Sequence, residues 1–275
     1  PVKGQTVRQS LGDPSRRSPV RNRSGQRCKR EDVREETKDG VRREPNRRYA
    51  GAMFVGVDGC VGGWVGVAVS RDRFLEARRF ENFGALMDAF GGARCIGVDM
   101  PIGLVAKGDR DADQAARDFL TGQTSSVFNA PPRPVLAAKD YDAAQRISRR
   151  INGKGLSKQS FNLQAKIIEV DGRAGDKRIH EVHPEVSFRL LNGGHEIRFR
   201  KKTWGGVRLR LGLLEEAGIV LPEDLGDVNS VGIDDVVDAA VAAWSARRIE
   251  GGQAKTFPAT TTQRDQSGRS ILIWA

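Results

Sequence analysis

The chain has 275 residues, 38% hydrophobic and 29% charged, with 46 Lys and Arg against 35 Asp and Glu. No apolar run approaches the roughly 20 residues that span a bilayer. No signal-peptide core is visible, and Cys28, Cys60 and Cys95 form neither a CxxC pair nor a metal-ligand spacing. The expectation is a soluble, cytoplasmic protein with no membrane partner.

The charge is unevenly spread. Residues 1–50 carry 15 Lys and Arg against 7 Asp and Glu, which leaves 31 against 28 for the rest. The pI near 10.0 is therefore a property of the leader. Residues 1–52 offer little to bury and read as a disordered basic leader: a nucleic-acid arm, a segment foreign to the native protein, or a solvated spacer. The folded domain is expected over 53–275.

Phe54–Asp58 is a short apolar run, followed by the glycine turn GCVGG and the alternating segment WVGVAVS, which together predict a hairpin. Phe74–Phe80 alternates as a third strand. Phe83–Phe90 has helical spacing and stops at Gly91-Gly92. Cys95–Met100 is a continuous apolar run, as in a strand buried on both faces, and should lie parallel to the first. Helices are predicted at 111–120, 140–151 and 158–171, within a helical insert spanning about 105–178. Ile179–His183 reads as a strand, and Pro184 opens a helix at its first position. Thr203–Ala217 and Ile233–Ile249 are the last long helical patterns. Residues 259–268 read as a loop and Ser270–Trp274 as a terminal strand. The fold class is α/β: three antiparallel strands, a helix and a parallel strand in one mixed sheet, flanked by helices.

Asp58 and Asp99 close the first and fourth strands, which this order makes neighbours. Adjacent carboxylates repel unless a proton or a hard cation is shared. Either acid alone is explained as a turn residue. The helix from Ile233 adds Asp234, Asp235 and Asp238; the first two suit a helix start. Asp238 interrupts the apolar stretch VVDAAVAAW and needs a partner.

These features resemble the ribonuclease H-like superfamily, and more closely its domain-of-unknown-function-429 family of predicted nucleases. The matching segments are VDGCVGGW (57–64), VDMPIGL (98–104), SSVFNAPPR (125–133), LSKQSFNL (156–163), KIIEVD (166–171), EVHPEVSF (181–188), KKT (201–203) and DDVVDA (234–239). Val61 departs from the basic residue common in the family. The resemblance implies a ribonuclease H-like fold and a metal-dependent hydrolase of nucleic-acid phosphodiesters. Asp58, Asp99, Asp235 and Asp238 would then be catalytic. Asp58, Asp99 and Asp238, with Asp234 or Asp235, would hold two Mg²⁺ or Mn²⁺ ions.

Arg133, Lys158, Gln159, Lys166, Lys201 and Lys202 are candidate phosphate contacts. Glu181, His183 and Glu185 are further candidates for the site, although Glu185 also suits a helix start. Trp64 and Trp244 read as core and Trp204 as surface; none interleaves with basic residues as a stacking platform would. Two other functions fit the same residues: an actin-like nucleotide-binding phosphotransferase or ATPase, and a non-catalytic binding protein.

Overall fold

The computed structural model describes residues 51–122 and 124–275, so residues 1–50 of the expected leader over 1–52 lie outside the described residues. The predicted hairpin forms from β1 (Phe54–Cys60) and β2 (Gly63–Val69). Cys60 pairs with Gly63, leaving a two-residue turn in which Gly62 has φ +72°, a conformation glycine adopts without steric cost. β3 (Phe74–Phe80) extends the meander. α1 (Phe83–Ala89) begins where the Asn82 side chain accepts the Ala85 N–H.

β4 (Cys95–Val98) then pairs parallel to β1, and β5 (Ile179–Glu181) parallel to β4. The five-stranded order β3-β2-β1-β4-β5 is a mixed sheet of three antiparallel strands followed by parallel ones. With its flanking helices it agrees with a ribonuclease H-like fold. α2 (Asp111–Phe119), α3 (Tyr141–Asn152), α4 (Lys158–Asn162) and α5 (Gln164–Asp171) lie between β4 and β5. The chain continues through α6 (Pro184–Leu191), α7 (Trp204–Glu216) and α8 (Ile233–Glu250). It finishes with the small pair β6 (Thr256–Phe257) and β7 (Ile273–Trp274).

β4 and β5 are each two residues shorter than expected, and two further boundaries differ. The single helix expected over 158–171 is interrupted at Leu163. Its halves are tied to different carbonyls: Ser160 donates to Asn129 O, and Gln164 donates to Leu136 O and Ala138 O. At the C-terminus, Ile273–Trp274 forms strand, whereas Ser270 makes an isolated bridge to Arg264 within the expected loop.

Strand alternation divides the core. Val55, Val57, Ile96 and Val98 face α1 and α5, packing with Phe83, Leu86, Ile167 and Val170. Phe54, Val65, Val67 and Cys95 face α7 and α8. Full burial of each such side chain is worth roughly 1.5–3 kcal/mol. Trp64 and Trp244 are core residues, as expected. α8 is buried without a break from Val236 to Ala246, and its run of alanines lets the helix axis approach the sheet closely. Among the described residues no helix is long and apolar enough to cross a membrane.

Candidate metal centre

Pleating fixes which side each acid takes. Val55 and Val57 point away from α8, so Gly56 and Asp58 point towards it; on β4, Gly97 and Asp99 do the same. The parallel register sets Gly56 beside Gly97 and Val57 beside Val98, and the Asp99 N–H continues it by donating to Val57 O at 2.9 Å. Asp58 and Asp99 therefore emerge as neighbours. α8 sits on the two glycines: a Cβ on Gly56 would lie 2.0 Å from Ala239 O, and one on Gly97 2.7 Å from Ala242 O. That contact brings Asp238, one residue before Ala239, to the same point.

One carboxylate oxygen from each of Asp58, Asp99 and Asp238 lies within 4.8 Å of the others, so the three could hold a metal ion. Asp58 is 7% exposed and Asp238 1%. Asp58 Oδ1 accepts the Gly59 N–H at 2.6 Å. Asp238 Oδ2 accepts from Lys201 Nζ at 2.6 Å, while its buried Oδ1 has no hydrogen-bond partner. A buried carboxylate oxygen without a donor is costly, and a hard cation is the partner that three converging carboxylates suit.

The electrostatics agree. Burial, then the carboxylates of Asp99, Asp238 and Asp235, push Asp58 well above the ordinary carboxylate range. Burial likewise lifts Asp99 and Asp238 to about 7, against the pull of the Lys201 ammonium. Although burial opposes it, Asp238 holds Lys201 above its ordinary value.

Asp235 is half-buried and close enough to the cluster to raise Asp58 and Asp99. Its own carboxyl is raised by burial and by Asp234. Asp234 pairs instead with Lys202 at 3.2 Å.

The remaining candidates have other partners. Glu185 accepts two hydrogen bonds from the Arg210 guanidinium, at 2.8 and 2.9 Å, while its charge still raises Asp99 and Asp238. Glu181 is engaged by Arg110 and by the Ile102 N–H at 2.7 Å; burial pushes it up to about 7, opposed by Arg110. His183 Nε2 lies 3.3 Å from Ser126 O, its Nδ1 has no hydrogen-bond partner, and burial lowers its pKa. Lys166 donates to Gly63 O with its ammonium 4.5 Å from the Trp64 ring centre, which places it against the β1–β2 turn at Gly59. Arg133 forms a two-pronged pair with Asp171. Lys158 and Gln159 are exposed on the first turn of α4.

Two features escaped the sequence reading. The triplet Gly-Val-Asp occurs at both 56–58 and 97–99, a repeated strand end that gives the same pairing of Asp58 and Asp99 as strand order does. The buried Arg110, which bridges Asp113 and Glu181, leaves no comparable local trace; Asp113 looks like an ordinary helix-start acid.

No curated protein and no solved structure matches the chain. A family model described as "Protein of unknown function (DUF429)" matches residues 56–263, a span containing all three clustered acids. The chain belongs to the DUF429 family.

Proposed function

We propose that the protein is a metal-dependent phosphodiester hydrolase acting on nucleic acid. The observation that carries this reading is the buried convergence of Asp58, Asp99 and Asp238 with one Asp238 oxygen unpartnered. These residues would hold Mg²⁺ or Mn²⁺, with Asp235 the additional donor if two ions bind. Such an ion, when bound, lowers the pKa of a coordinated water and stabilises charge on a leaving oxygen. The chain's own residues do the positioning. Lys201 fixes the Asp238 carboxylate through Oδ2 and leaves the buried Oδ1 without a donor. The charges of Lys202 and Lys166 both reach Asp235, which puts positive charge near the acids where backbone phosphates would need it.

Calorimetric titration of Mn²⁺ into the full chain and its Asp58→Asn form tests the reading, alongside an oligonucleotide-hydrolysis assay. Binding and turnover should both be lost in the variant while thermal unfolding stays cooperative; unchanged turnover sinks the proposal. A non-catalytic protein on the same fold is the second reading. It is favoured by one observation: the Lys201 ammonium already offsets part of the cluster's charge.

A further inference from the structure

Between Ile197 and Leu214 the chain carries six Lys or Arg residues and no acid. Lys201 and Arg210 are drawn inward onto Asp238 and Glu185. The others stay outside: Arg198, Arg200, Lys202 and Arg208 are exposed. Two aromatic rings are exposed among them, Trp204 at 80% and Phe199 at 44%. They are the aromatic members of the exposed large apolar side chains among the described residues. An isolated exposed Leu or Val needs no explanation, but a tryptophan left largely in water forgoes a large burial gain. Trp204 was expected at the surface; its arrangement with charge was not.

Each ring is matched with a guanidinium. Arg198 Cζ lies 5.4 Å from the Phe199 ring centre and Arg208 Cζ 5.9 Å from that of Trp204. Phe199 also rests over Gly205, where an added Cβ would come within 3.2 Å of the ring. Glycine there lets the ring lie close to the start of α7. The tract is joined to the acid cluster by its own middle residues, since Lys201 holds Asp238 and Lys202 holds Asp234. Trp204 lies three positions after Lys201, at most about 11 Å of extended chain.

We propose that Phe199 and Trp204, with the surrounding Arg198, Arg200, Lys202 and Arg208, form a stacking platform that binds single-stranded nucleic acid and leads it to the acid cluster. The inference rests on the hydrolase reading for its ligand class and names the form of that ligand. Exposed rings interleaved with cations suit bases that are free to unstack, because every base has a π-face and every nucleotide a phosphate. A duplex keeps its bases stacked on each other and would meet only the charges.

The test is fluorescence anisotropy of a labelled short oligothymidylate, and of a blunt duplex of equal length, with the full chain in EDTA so that no strand is cut. Moderately high salt suppresses the contribution of the basic leader, which is in any case common to all variants. The wild type should prefer the single strand. Trp204→Ala should weaken that binding roughly ten- to a hundred-fold, with Trp204→Phe retaining most of it and duplex binding little changed. Equal affinity for the two forms, or an unchanged affinity in Trp204→Ala, overturns the proposal. So does a Trp204-dependent dimer, or Trp204-dependent binding to anionic vesicles, without a change in oligonucleotide affinity. Because the assay contains no metal, loss of the hydrolase reading through Asp58→Asn leaves this result standing.

Discussion

Gly56 on β1 stands opposite Gly97 on β4, and α8 packs on both at a distance that excludes any side chain. The contact sets how deep the helix sits and hence where Asp238 meets Asp58 and Asp99. Gly56→Ala places a methyl 2.0 Å from both Ala239 O and Ala243 N, backbone atoms that cannot rotate away. Overpacking of this kind costs about 1–3 kcal/mol or more, and the displaced helix should also weaken Mn²⁺ binding. Gly212→Ala on α7 is the control, because nothing lies within 4 Å of the added carbon. It should be neutral or stabilising by up to about 1 kcal/mol. Urea unfolding of the two variants separates a close-approach glycine from an incidental one.

Lys201→Met removes the donor on Asp238 Oδ2 from a carboxylate that is 1% exposed and already has one unpartnered oxygen. Without metal the loss should be roughly 1–3 kcal/mol. Mn²⁺ should recover much of it, so the rise in Tm on adding Mn²⁺ should be larger for the variant than for the wild type. An equal rise in both proteins would show that ammonium and metal do not compensate the same charge.

Much of this architecture was readable from residue patterns. β3 was expected over the same residues it occupies, because FLEARRF alternates between polar breaks. Asp58 and Asp99 could be placed side by side because strand order alone makes their strands neighbours. Asp238 stood out as a charge in an apolar helix that needed a partner, and Lys201 is one. What remained hidden depends on contacts between distant segments. Nothing in SSVFNAPPR says that Arg133 is held by Asp171, and nothing near Glu181 announces Arg110, 71 residues earlier. Asp234 and Asp235 differ by one helical position, and only the packed helix shows the charge of Asp235 reaching Asp58 and Asp99 while Asp234 pairs with Lys202. Trp204 looked like one surface aromatic; its relation to Arg208 and Phe199 emerges only when the start of α7 is built.

Arg110 is 1% exposed and carries two buried carboxylates at once. It donates to Asp113 from Nε and Nη2, and to Glu181 from Nη1. Asp113 in turn accepts the Ala130 N–H, and Glu181 the Ile102 N–H. The guanidinium thus ties α2, β5 and the segments after β4 and before Arg133 into one network. Arg110→Met should destabilise by roughly 3–5 kcal/mol, because it strands two acids in the interior. Arg110→Lys should rescue little, since a single ammonium cannot match the forked geometry. Near-wild-type urea midpoints for either variant would show that the two acids are stable without the fork.

The acid cluster also predicts how stability responds to pH. An acid whose folded pKa lies above its unfolded value, about 3.9 for Asp, takes up protons on folding. Its contribution is complete below the unfolded pKa and is lost as pH rises through the folded one. Asp99, Asp238 and Glu181, each raised to about 7 chiefly by burial, and Asp58, raised in the same direction, all act this way. His180 and His183, lowered by burial, act oppositely, since the unfolded chain takes up their protons below about pH 6.5. Asp176, lowered by its hydrogen bond from Arg178, changes stability only at still more acid pH. Above about pH 6.5 the raised carboxylates therefore outweigh the histidines. In EDTA, Tm should fall by several degrees between about pH 6.5 and 8. Asp238→Asn should flatten that fall without removing it, because Glu181 lies outside the cluster. Mn²⁺ should reverse it, and more strongly at higher pH, because the ion takes the place of the displaced protons. A Tm that stays level across this range in EDTA would mean that the three carboxylates are ionised together without help, and the case for a cation between them would lose its electrostatic footing.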